Sequence, residues 1–197
     1  MIERISNYRH LLNKNLEQLI VTDSDGKKAG GFEQAVETIA KDSLLCNAKG
    51  GEVLFIGNGG SAAICNHCAI DWWNNGKVRT RVFFGDLQLT CLANDFGYES
   101  VFSRPIEELA KSSDLLIAIS SSGRSPNILN GVKAARKTGM RIITLSGFSE
   151  DNPLRNTGDV NIYVPTDEYG FAETVHGIIL HAASDAFEEI RDSAGSQ

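Results

Sequence analysis

Leu115-Leu116-Ile117-Ala118-Ile119 runs straight into Ser120-Ser121-Ser122-Gly123-Arg124-Ser125, and residues 127–137 then carry helical spacing. So short an apolar run predicts a buried strand. The hydroxyl-rich turn between strand and helix predicts backbone N–H groups and serine Oγ atoms gathered around one small volume, as a phosphate group requires. A polar turn that only caps the next helix is the competing explanation of the same residues.

The pattern repeats on either side. Val53–Ile56 ends in Gly57-Asn58-Gly59-Gly60-Ser61, after which residues 62–73 predict a helix with Ser61 at its N-cap. Residues 142–145 are closed by Ser146 and Gly147, and Val82-Phe83-Phe84 and Asn161-Ile162-Tyr163-Val164 supply two more strand candidates. Five short strands separated by helices predict a three-layer α/β/α sandwich around a central parallel five-stranded sheet. Its ligand crevice would lie at the carboxyl ends of the strands. Residues 171–190 predict the closing helix.

Ahead of the first strand, Ile5, Tyr8, Leu12, Leu16 and Leu19 recur at helical spacing, and Phe32, Val36, Ile39 and Ala40 continue on a second helix. The polar, glycine-containing residues 23–31 read as the loop between them. An apolar stripe laid down before any strand is suited to packing on another subunit, so residues 1–48 are expected to contribute to oligomerisation of a single domain spanning 1–197.

Composition narrows the function. With 25 acidic against 19 basic residues, the net charge of -6 argues against general attraction to nucleic acid or an anionic membrane, although Lys77, Arg79 and Arg81 can form a local patch. Trp72 and Trp73 read as packing groups rather than base-stacking platforms. The apolar stretches are too interrupted to span a bilayer and no apolar signal region follows the N-terminus, so a cytoplasmic protein is expected. Cys65-Asn66-His67-Cys68 has CxxC spacing, but Cys46 and Cys91 lie far off and form no second pair, so reduced, packed cysteines are expected. Neither glycine-rich turn is followed by Gly-Lys-Ser/Thr, and Gly57 to Ser61 lacks GxGxxG spacing. No nucleotide cofactor is therefore expected.

Polar residues suited to a site cluster near these turns. His67 and Asp71 are four apart on one predicted helix, able to share a metal ion, to act as a base and its positioning partner, or to make a local hydrogen bond. Asn94 and Asp95 lie in an apparent connection, where sugar hydroxyls would satisfy the carboxylate. Glu173 and His176 sit one turn apart on the last helix; Ser184 shares the His176 face, whereas His181 points largely away.

Taken in order, Gly57 to Ser61, Ala93-Asn94-Asp95-Phe96-Gly97 with Phe102-Ser103-Arg104, Ile119 to Ser125, Ala134-Ala135-Arg136 and residues 142–147 resemble the sugar isomerase (SIS) domain family, with its flavodoxin-like sheet, and within it the bacterial phosphoheptose isomerases. The resemblance covers almost the whole chain. It implies a homotetramer with subunit-shared sites that interconverts sedoheptulose 7-phosphate and D-glycero-D-manno-heptose 7-phosphate through an enediolate, on a route to lipopolysaccharide or related glycans. It implies phosphate contacts from Ser120, Ser121, Ser122 and Ser125, with Asn58, Ser61 and Asp95 near the sugar; Gly59, Gly60, Asn94 and Glu173 are expected to bind substrate beside them.

The catalytic positions depart from the family pattern. The family's histidine and glutamate on the helix after the first glycine-rich loop fall at His67 and Asp71, its glutamine at His176, and its catalytic histidine at Ser184. Serine has no group that titrates near neutrality. The expected catalytic residues are therefore Asp71 and His176, and the Zn²⁺ ligands implied by the resemblance are His67, Asp71 and His176, leaving an open fourth place. Two alternatives stay open on sequence alone: a non-catalytic phosphosugar sensor or protein-binding member, and an isomerase of a different sugar phosphate.

Overall fold

A computed structural model of the chain describes residues 3–83 and 85–195. The helices are α1 (Glu3–Glu17), α2 (Phe32–Ala48), α3 (Gly59–Asn74), α4 (Asp86–Phe96), α5 (Ser103–Leu109), α6 (Pro126–Thr138) and α7 (Tyr169–Gly195). The strands are β1 (Ile20–Asp23), β2 (Lys28–Gly30), β3 (Val53–Ile56), β4 (Thr80–Val82), β5 (Leu115–Ser120), β6 (Arg141–Ser146) and β7 (Val160–Tyr163). Among the described residues the sheet is seven-stranded, in the order β2-β1-β7-β6-β5-β3-β4.

The α/β/α layering agrees with the sequence reading, but the purely parallel five-stranded sheet does not. Strands β4, β3, β5, β6 and β7 run parallel, whereas β1 pairs antiparallel with β7 and β2 antiparallel with β1, so the sheet is mixed. The supposed loop at 23–31 holds the turn of this extra hairpin. There the Asp23 carboxylate accepts the N–H groups of Asp25 and Lys27 at 3.0 and 2.9 Å, and Gly26 takes φ +75°. The β-branched run Ile20-Val21-Thr22 suits a strand paired on both sides, and Val21 is buried. The fourth strand also sits earlier than expected, at Thr80–Val82, and Phe84 lies outside the described residues.

Side-chain alternation builds the two apolar layers. Val53 and Phe55, with Leu115, Ile117 and Ile119, meet α2, α3 and α7; Leu54 and Ile56, with Leu116 and Ala118, meet α5 and α6. Trp72 anchors the first layer, edge-on to both Phe55 and Phe187 at 5.0 Å, with its indole N–H on the Leu180 carbonyl. Its neighbour Trp73 is exposed. No helix among the described residues is long and apolar enough to cross a membrane.

The strand order places the crevice. From β3 the chain first lays β4 on one side and then returns to lay β5 on the other, so the carboxyl ends of β3 and β5 part at a topological switch point. Helices α3 and α6 begin there.

Candidate active site

A pocket of about 300 Å³ occupies that switch point, lined by Asn58, Gly59, Gly60 and Ser61 from the β3 turn, Ile119, Ser120, Ser121, Ser122 and Ser125 from the β5 turn, and Tyr169 and Glu173 from α7. Eight of the expected site residues therefore share one volume with a ninth, Glu173. The N-terminal ends of two helices open onto it, each favouring negative charge by roughly 0.3–1 kcal/mol when exposed and more when buried.

The hydroxyls are available to a ligand. Ser121 is buried and its Oγ has no hydrogen-bond partner, while Ser120 Oγ reaches only Ser125 Oγ, at 3.4 Å. Ser125 occupies the α6 N-cap without a side-chain capping bond, and Pro126 follows at the first helical position. A buried hydroxyl left unpaired at a pocket wall calls for a ligand.

The β3 turn is fixed by a tertiary partner. Asn58, rather than Ser61, stands at the α3 N-cap, and it makes no capping bond because its amide exchanges two 2.9 Å hydrogen bonds with Asn127, while the Tyr98 hydroxyl donates to its Oδ1 at 3.2 Å. Asn127, Tyr98 and Tyr169 were not among the expected site residues; a pairing across 69 positions leaves no local signal. Gly60 has a direct role, since a Cβ there would overlap the Glu173 carboxylate. Asn94 and Asp95 are on α4 rather than in a connection, exposed, bonded to each other at 2.9 Å, and absent from this pocket's lining.

Further along α3 and α7 lies a second cluster. His67 Nε2 is 3.3 Å from Asp71 Oδ2, and His181 Nδ1 is 3.8 Å from the same oxygen. One ligand atom from each residue lies within 4.8 Å of the others, with both histidines exposed and Asp71 half-buried. Two imidazoles and a carboxylate form a donor set suited to Zn²⁺ with one place left open. The expected third ligand was His176, and the geometry substitutes His181.

His176 turns inward instead. It is fully buried, with Nε2 3.2 Å from the Ser146 carbonyl and Nδ1 unpartnered. Burial lowers its pKa to about 4, against a smaller opposing effect of the Ser146 hydrogen bond, so the ring is neutral at pH 7. In the unfolded chain the same ring protonates near 6.5. The folded state thus binds fewer protons between pH 6.5 and about 4, so stability is lost as the pH is lowered through that window, by up to roughly 3 kcal/mol, and is unaffected by this ring above it. His176→Gln keeps a donor toward Ser146 and does not titrate. Urea midpoints at pH 7.5 and 4.5 should show a smaller acid loss in this variant than in the wild type.

The cysteines are free, and three are buried. Burial pushes Cys68 up to about 12 and Cys65 well above its ordinary value, so the CxxC thiols stay protonated in the core and do not supply thiolate ligands. The cations of the 77–81 stretch are engaged: Lys77 Nζ donates to the Asn74 carbonyl, Arg79 to the Gly51 carbonyl, and Arg81 pairs with Glu52.

Comparison with known proteins agrees with this geometry. The SIS domain pattern matches residues 7–147. The phosphoheptose isomerase of Sodalis glossinidius is 37% identical over 179 residues, covering 88% of this chain and 89% of that protein. That of Photorhabdus laumondii is 38% identical over 175 residues, covering 86% and 87%. Among solved structures, a phosphoheptose isomerase from Francisella tularensis superposes with a TM-score of 0.80 at 26% identity, covering 95% of this chain and 98% of that one. The chain belongs to the SIS domain family and is an isomerase of the phosphoheptose isomerase type.

Proposed function

We propose that this chain interconverts sedoheptulose 7-phosphate and D-glycero-D-manno-heptose 7-phosphate by proton transfer through an enediolate. The observation that carries the reading is the unpartnered, buried Ser121 hydroxyl in a serine-lined pocket at two helix starts. The phosphate sits against Ser120, Ser121, Ser122 and Ser125. Asn58, Gly59, Gly60, Ser61 and Glu173 flank the polyol.

The reacting end extends toward His67, Asp71 and His181. From Ser61 to His67 the rise along α3 is about 9 Å, a span suited to an extended seven-carbon chain. Asp71 takes the proton from the carbon beside the carbonyl and returns it to the neighbouring carbon, and His67 and His181 at its Oδ2 fix its orientation. His176, sealed in the core, does not reach substrate and holds the Ser146 carbonyl. His67, Asp71 and His181 would hold Zn²⁺, which would polarise the substrate oxygen when bound.

Exposed Ile5 and Tyr8 on α1 favour association of copies, and the homotetramer implied by the family resemblance would bring Asn94 and Asp95 to a shared site. A single domain over 1–197 and a cytoplasmic location complete the reading, in keeping with four free cysteines. Incubation with sedoheptulose 7-phosphate in D₂O should incorporate deuterium at the exchanging carbon, with and without added Zn²⁺. Binding without exchange above the Asp71→Asn background would leave a sensor, not an isomerase.

A further inference from the structure

The serine pocket has an electrostatic imbalance. Its lining offers hydroxyls, amides and glycines, and its only charged side chain among the described residues is the carboxylate of Glu173. A phosphomonoester brings close to two negative charges at pH 7. Two helix ends offset only part of that charge.

Arg124 lies within the same turn, between Ser122 and Ser125, which both face the pocket. Its backbone N–H donates to Ser122 Oγ at 3.3 Å, but its guanidinium is directed outward, 3.3 Å from Asp151 Oδ1. The partners are 57% and 82% exposed, so the pair contributes little and breaks at small cost. Asp151 Oδ1 also accepts from the Ser149 hydroxyl and keeps that partner when Arg124 leaves. By contrast, a guanidinium on phosphate makes short, often bidentate charge-assisted bonds.

Resting on the phosphate reading of this pocket, we infer that Arg124 is a substrate-binding residue, exchanging Asp151 for the substrate phosphate. Asp151 competes with the ligand for Arg124 and so sets how tightly phosphorylated substrates are held. The pair also favours a dianionic phosphate over a neutral sugar end at this loop, because only the former outcompetes Asp151.

The test measures KM for sedoheptulose 7-phosphate and competitive inhibition by inorganic phosphate in wild type, Arg124→Ala, Arg124→Lys and Asp151→Asn. Arg124→Ala should raise both KM and the phosphate Ki about tenfold, with a smaller change in kcat. Arg124→Lys should recover part of that loss, and Asp151→Asn should tighten both constants about two- to threefold by removing the competitor. The opposite sign for Asp151→Asn separates charge competition from a structural brace. If Asp151→Asn weakens binding as Arg124→Ala does, or if Arg124→Ala leaves both constants unchanged, the inference is overturned. If inorganic phosphate does not inhibit the active wild-type enzyme at all, the phosphate reading of the serine pocket falls first and takes this one with it.

Discussion

Asp71→Asn is expected to lower isomerisation by about 10³-fold, within the range by which a positioned general base contributes. Asparagine keeps the shape of the side chain and can still hydrogen-bond His67, but it neither accepts the substrate proton nor supplies a carboxylate. The fold should tolerate the change. Asp71 is half-buried beside two exposed histidines, and pairs of this kind are worth at most about 1 kcal/mol.

The same substitution should reduce Zn²⁺ retention, measured by elemental analysis after dialysis, because one of three donors is lost. His181→Ala should share that metal loss, whereas His176→Gln should leave the metal content unchanged, since His176 is bonded to the Ser146 carbonyl and sealed from the cluster. An Asp71→Asn enzyme within tenfold of wild type, with unaltered deuterium exchange, would remove Asp71 as the base.

The contrast between His176 and His181 shows where the sequence stops being informative. Helical spacing correctly joined His67 to Asp71, because both lie on one helix and the i,i+4 geometry is local. Which face of α7 meets α3 is decided by packing of Val175, Ile179, Leu180 and Ala183 into the core. That packing turns His176 inward and leaves His181 beside α3, five residues on. Family correspondence pointed to His176, whereas the donor atoms that gather around Asp71 come from His67 and His181.

The turns after β3 and β5 were legible for the opposite reason. A buried parallel strand must be continuously apolar, and its ligand-facing end must abruptly become glycine and serine, so the boundary is written into consecutive residues. The β1–β2 hairpin lacked that contrast. Leu19 continues the spacing of Leu12 and Leu16, which hides the point where Gln18 closes the last helical turn on Lys14 and the chain becomes extended. Two strands of four and three residues leave too little periodicity to outweigh a helix of fifteen.

Gly123→Ala is the substitution with the largest expected effect on the fold around the site, at about 3 kcal/mol or more of lost stability together with weakened phosphate binding. Gly123 has φ +63°, where a side chain costs about 1 kcal/mol on its own. The larger part comes from its neighbour, because the added Cβ would overlap the Asn152 amide oxygen. Asn152 cannot yield cheaply. It is buried, its Nδ2 donates to Ser146 Oγ, the Gly147 carbonyl and the Ser149 carbonyl at 3.3, 3.1 and 2.9 Å, and its Oδ1 accepts from the Arg155 N–H at 3.0 Å. The loop is held from its own side too, with Gly123 N–H on the Ser120 carbonyl at 3.0 Å and its carbonyl accepting from Leu154 N–H at 3.1 Å. Relief of the overlap must therefore displace either the serine turn or the segment after β6, breaking buried hydrogen bonds in both cases. Gly59→Ala supplies the control for stability: Gly59 also has positive φ, at +53°, but nothing stands within 4 Å of the added carbon, so it should lose only about 1 kcal/mol. Urea midpoints of the two variants at pH 7.5 measure the difference. Equal losses would mean that Asn152 does not brace the phosphate turn, whereas a gap of about 2 kcal/mol would assign it to that contact.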